Sequence, residues 1–170
     1  MLKPDSKPTT MTKKILVIED NQKHLADAKA FFADKPEYHV EYCDSNIMLT
    51  IGNLIGRFWG KSRQDKIDFG YDGVITDLFF PWHEEMYPIE VPAGMGIAMF
   101  CNEHQIPCVV NTSGGGHGQR SRWAIDILRS MNFPHFAEGV KDDEVAQKKW
   151  PQVMKELDYL IDEKRKQSKG

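Results

Sequence analysis

At 170 residues, with 41% hydrophobic and 28% charged residues, the chain suits one domain with a sizeable core. Its net charge of −3 argues against nucleic acid as the main partner, and its apolar runs are far too short to span a bilayer. Three cysteines without CxxC spacing, behind a polar N-terminus that lacks an export signal, predict reduced, mostly buried thiols in the cytoplasm.

Residues 1–12 read as a flexible leader, with Pro4 and Pro8 among polar residues, and Met11 is an alternative start. A first strand is predicted over 14–19. Asn21 then caps a helix whose apolar face is Leu25, Ala28 and Phe32, closed by Lys35-Pro36. A second strand covers 38–43. Asp44 or Ser45 caps a second helix with Ile47, Ile51, Leu54, Ile55 and Phe58 on its face. A charged connection over 60–70 leads to a third strand over 71–77. The segment 81–92, with Trp82, His83, Glu84, Glu85 and Tyr87, reads as a loop too long for a simple connection. Gly94 and Gly96 lead into a helix through Ile97, Met99, Phe100 and Cys101. The fourth strand is 107–111. The glycine-rich 114–118 precedes a helix over 119–131, a short fifth strand covers 135–140, and the last helix runs over 143–164. Residues 13–164 form the domain, and 165–170 a basic tail.

Strands alternating with helices predict an α/β fold with a parallel sheet covered on both faces. Five such units match the flavodoxin-like three-layer (βα)5 sandwich with strand order 2-1-3-4-5. In that order the ends of strands one, three and four are neighbours. They carry Glu19 and Asp20, Asp77, and Thr112 respectively. Carboxylates crowded together repel, and a hard divalent cation such as Mg²⁺ removes the penalty. One carboxylate is then able to accept a phosphoryl group as an acyl phosphate, with a hydroxyl (Thr112) and a lysine (Lys141, at the end of strand five) steadying its oxygens.

The segments Ile15-Leu16-Val17-Ile18-Glu19-Asp20-Asn21, Asp72 through Pro81, and Ile106 through Ser113 resemble the signature segments of bacterial two-component response-regulator receiver domains, the CheY-like family. The resemblance implies Asp77 as phosphoacceptor. It implies Mg²⁺ held by Glu19, Asp20, Asp77 and the backbone carbonyl of Phe79, with Thr112 and Lys141 on the phosphoryl group. It also implies a histidine kinase or phosphotransfer protein as donor and a downstream protein as receiver of the signal, with no direct role for nucleic acid or membrane.

The chain departs from the family in several places. Lys141 is followed by Asp142 where the family has proline, and Glu138 stands where the family has its switch aromatic, with Phe136 out of phase. The 60–70 and 81–92 connections are long for the family. Two other readings therefore stay open: a degenerate receiver serving as a phosphate-independent interaction module, and a phosphoaspartate-type hydrolase. Against the hydrolase, the second aspartate two residues after Asp77 is missing. Elsewhere the plainer readings are preferred: a flexible turn at 114–118, exposed loop histidines at His83 and His117, and helix-face packing for Trp123 and Trp150.

Overall fold

Runs rich in valine and isoleucine pair edge to edge as the core of the molecule. The computed structural model describes residues 12–44, 52, 69–82, 89–113, 119–137 and 148–169. Most of the expected leader, most of the expected second helix, most of the 60–70 connection, the 114–118 segment and Lys141 lie outside the described residues.

Strands β1 (Lys13–Ile18), β2 (Tyr38–Cys43), β3 (Gly73–Thr76), β6 (Cys108–Thr112) and β7 (His135–Ala137) form one parallel sheet in the order β2-β1-β3-β6-β7. Between β3 and β6 the chain makes a separate antiparallel hairpin, β4 (Phe80–Trp82) with β5 (Ile89–Val91). This corrects the expected loop at 81–82 and 89–91, while residues 83–88 lie outside the described residues. It also changes the expected numbering 2-1-3-4-5, because two strands outside the main sheet are inserted in the count. Phe80 stands opposite Val91 and is fully buried, so the segment's ends are held by a ladder and by core packing.

Four helices are described: α1 (Gln22–Phe32), α2 (Ala93–Glu103), α3 (Gln119–Ser130) and α4 (Trp150–Gln167). Strand alternation divides them between the two sheet faces. Leu16, Ile18, Val74, Cys108 and Val110 pack with Ile97, Ala98 and Cys101 of α2 and with Ala124, Ile125 and Leu128 of α3. Ile15, Val17, Ile75 and Val109 pack on the other side with Ala28 and Phe32 of α1 and with Trp150, Val153, Leu157 and Ile161 of α4. The architecture is α/β and compatible with a flavodoxin-like fold, with one helix fewer among the described residues than expected.

Local sequence explains the element ends. Asn21 caps α1 as expected, its Oδ1 accepting from the N–H groups of Lys23 (3.0 Å) and His24 (3.3 Å). The last helix starts at Trp150, seven residues later than expected at 143, with Lys149 outside helical geometry. Pro151 explains this start, because proline lacks the N–H that the helix interior needs and its fixed φ suits the first turn. The same helix continues to Gln167, past the expected end at Lys164. Trp150 is buried as expected, but Trp123 is half-exposed and so departs from the expected packing role. Met99 likewise faces outward on α2, whose buried face is Gly94, Met95, Ile97, Ala98 and Cys101.

Candidate metal and phosphoryl site

Backbone pairing at the carboxyl ends of β1 and β3 brings the acidic residues together. The Asp77 N–H donates to Ile18 O at 3.0 Å, and the Glu19 N–H donates to Cys43 O at 3.0 Å. The sheet ladder thus continues one residue past each strand and fixes where the two carboxylates leave it. Carboxylate oxygens of Glu19, Asp20 and Asp77 all lie within 4.8 Å of one another. Glu19 and Asp77 are buried, and Asp20 is half-buried.

Helix α2 packs directly against this cluster. The Gly94 N–H donates to Leu78 O at 3.1 Å. A Cβ built on Gly94 would stand 1.9 Å from Asp77 O, so only glycine fits at this approach.

Sequence reasoning missed Lys148, the lysine that pairs with the carboxylates among the described residues. Its side chain is fully buried, its Nζ lies 2.9 Å from Asp77 Oδ2, and it donates a hydrogen bond to Glu19 Oε2. Lys148 is placed by the start of α4: the Trp150 N–H donates to Lys148 O at 3.1 Å, and the Trp150 ring packs against Phe32. One signal pointed to it. Lys148 immediately precedes the Lys149-Trp150-Pro151 run that starts the helix, and a helix start beside a strand end lies at the crevice. The expected lysine, Lys141, lies outside the described residues.

Backbone amides also serve Asp77 and Glu19. Asp77 Oδ1 accepts from the Leu78 N–H at 2.6 Å, and Glu19 Oε1 accepts from the Asn21 N–H at 3.0 Å. Burial pushes the Glu19 carboxyl up to about 7, against the lowering pull of Lys148, and the nearby Asp77 charge adds to the rise. Thr112 is buried at the end of β6. Val110 pairs with Thr76, so Thr112 sits on the strand beside Asp77, as expected. Phe79 follows Asp77 in the turn to β4, with its ring in the core.

Three buried polar atoms on the surrounding elements lack hydrogen-bond partners: His24 Nδ1 on α1, Asn111 Nδ2 on β6 and Trp150 Nε1 on α4. Burial, and then the Lys148 charge, hold the His24 imidazole below its ordinary value. Of the loop residues singled out in the sequence, His83, Glu84, Glu85, Tyr87 and His117 lie outside the described residues.

The donor set suits a hard divalent cation. Three carboxylates offer oxygen ligands close enough to share one ion, and a partly exposed member leaves room for water ligands. No helix among the described residues is long and apolar enough to cross a membrane. No protein-family model matches the chain, and no curated protein matches it.

Proposed function

We propose that this chain is a receiver-type phosphoacceptor on a flavodoxin-like (βα)5 scaffold, with Asp77 as the residue that takes the phosphoryl group. The observation that carries this reading is Lys148 Nζ bound to Asp77 and Glu19 inside a cluster of three carboxylates at the sheet's carboxyl edge. A parallel sheet places its ligand crevice at that edge.

In this reading Asp77 supplies a carboxylate oxygen to the phosphorus of a phosphohistidine or a small acyl phosphate. The O–P bond forms as the bond to the departing nitrogen or oxygen breaks; a departing imidazole takes up a proton, and a departing carboxylate leaves as the anion. Glu19, Asp20 and Asp77 would hold Mg²⁺, with the Phe79 carbonyl as a further oxygen donor. The ion would neutralise charge on the transferring group. Lys148 exchanges its carboxylate partners for phosphoryl oxygens, joining the expected Lys141 as a cation for the transferred group, and the Thr112 hydroxyl donates to another oxygen. The donor protein is of the histidine-kinase or phosphotransfer class, acting in the cytoplasm, and a separate protein reads the modified surface.

The test is intact-mass spectrometry after incubation with acetyl phosphate. The mass of one phosphoryl group appears with Mg²⁺, is lost with chelator, and is absent in Asp77→Asn. No gain of mass in wild type with Mg²⁺ sinks the reading.

One observation favours a second reading, a phosphate-independent interaction module. Lys148 already neutralises part of the cluster, so the folded chain needs no metal to hold Asp77 and Glu19 together. That reading expects partner binding unchanged by Asp77→Asn, whereas the phosphoacceptor reading expects binding that responds to beryllofluoride in wild type alone.

A further inference from the structure

Asn111 is buried on β6, and its Nδ2 has no hydrogen-bond partner among the described residues. An amide taken out of water without a partner costs stability, because its hydration is lost and nothing replaces it. Register and sheet face both set this amide beside Asp77. On the paired strands Ile75 stands beside Val109, and Thr76 beside Val110. The next step along that ladder brings Asp77 level with Asn111, on backbones about 4.8 Å apart. Side chains alternate between the faces of a sheet, so Asp77 shares the face of Ile75, and Asn111 that of Val109. Ile75 and Val109 both belong to the face packed by α1 and α4. Lys148, just before α4, meets Asp77 Oδ2 on that same face. The other unpartnered atoms, His24 Nδ1 and Trp150 Nε1, are carried by helices; Asn111 is the one fixed to the strand next to β3.

We propose that Asn111 is a phosphoryl-binding residue, its Nδ2–H donating to an oxygen of the group carried by Asp77. This rests on the phosphoacceptor reading of Asp77 and adds to it a donor that the sequence reading did not single out.

In the resting site the Asp77 oxygens have other partners. Oδ1 accepts from the Leu78 N–H at 2.6 Å, Oδ2 lies 2.9 Å from Lys148 Nζ, and the Asn111 Nδ2 bonds to neither. A phosphoryl group on Asp77 adds acceptor oxygens that carry negative charge. The neighbouring amide then has a partner, and a hydrogen bond to a charged acceptor is stronger than one to a neutral group. No covalent bond is made or broken at Asn111, and the amide keeps both its protons. The cost of the unpaired donor falls on the resting chain and is relieved in the phosphorylated one. Asn111 therefore biases the site toward its loaded state.

The test compares wild type with Asn111→Leu, which keeps a similar size and removes the amide. Each protein is incubated with acetyl phosphate and Mg²⁺, freed of the donor, and followed by intact mass. In Asn111→Leu the ratio of labelling rate to loss rate should fall about tenfold or more, the worth of a hydrogen bond to a charged group. The urea midpoint of the unphosphorylated variant should match or exceed that of wild type, a result that a merely structural amide does not give. Equal ratios in the two proteins, with wild type labelled, overturn the role of Asn111 and leave the phosphoacceptor reading standing. Wild type that takes no label sinks that reading and this one with it. Where Asn111→Leu is destabilised or does not fold, NMR of wild type decides. The Asn111 side-chain amide signals should shift downfield when beryllofluoride and Mg²⁺ are bound, and signals that stay in place in the bound protein overturn the proposal.

Discussion

The two edges of the sheet handle charge in opposite ways. At the amino edge, ion pairs join strand starts to α4 and stay partly in water. Lys13 Nζ lies 2.7 Å from Asp158 Oδ1, and Arg165 lies 2.9 Å from Asp72 Oδ1, with every partner keeping some exposure. Asp158 also accepts from the Tyr38 O–H at 2.6 Å, and Asp72 accepts from the Lys14 N–H at 2.8 Å. Such pairs tie elements together at small net gain. At the carboxyl edge the side chain of Lys148 is 0% exposed, and those of its partners Glu19 and Asp77 are 1% and 9% exposed. Buried pairs of this kind lose most of their Coulomb attraction to desolvation. An arrangement that brings a third carboxylate within reach as well is poor as a structural device, and it is well suited to holding a cation or a phosphoryl group.

Four substitutions sharpen the contrast, in order of expected size. Lys148→Met leaves Glu19 and Asp77 buried without a counter-charge and should cost about 3–5 kcal/mol by urea denaturation. Millimolar Mg²⁺ should restore part of that loss; no restoration argues against a cation site. Gly94→Ala sets a methyl group against Asp77 O, so α2 must shift, at a cost of about 1–3 kcal/mol with weakened Mg²⁺ binding by calorimetry. Wild-type affinity in that variant would detach α2 from the site.

Glu19→Gln tests the pH response. The folded carboxyl is raised from 4.5 to about 7, so the native state holds the proton more tightly than the unfolded chain. That contribution to stability is full below pH 4.5 and is lost as pH rises through about 7. Wild type minus Glu19→Gln should show this fall across the window in denaturation series, and an equal slope in both proteins refutes it. Lys13→Ala, at the amino edge, should change stability by only about 1 kcal/mol or less. A loss as large as that of Lys148→Met would erase the distinction between the edges.

Much of the frame was legible because short-range rules control it. The apolar, β-branched run Ile15-Leu16-Val17-Ile18 and the Asn21 cap act within a few residues, and the structure follows both. The convergence of Glu19, Asp20 and Asp77 was legible too, since a parallel sheet fixes which strand ends adjoin. The hairpin of β4 and β5 was not, because Trp82, Glu85 and Pro88 give no alternation and its ladder pairs residues as far apart as Phe80 and Val91. Trp123 looked like a packing residue by type, yet exposure depends on where neighbouring elements end.

By itself the sequence determined the strands of the parallel sheet, the helix cap and the acidic residues at the strand ends, all of which follow from local backbone preference and hydrophobic pattern. Only the tertiary structure decided that Lys148 meets Asp77. Lys148 is 71 residues from Asp77 in the chain, a separation across which no local preference acts. Packing of Trp150 against Phe32 brings the helix start to the sheet edge and buries the ammonium between two carboxylates.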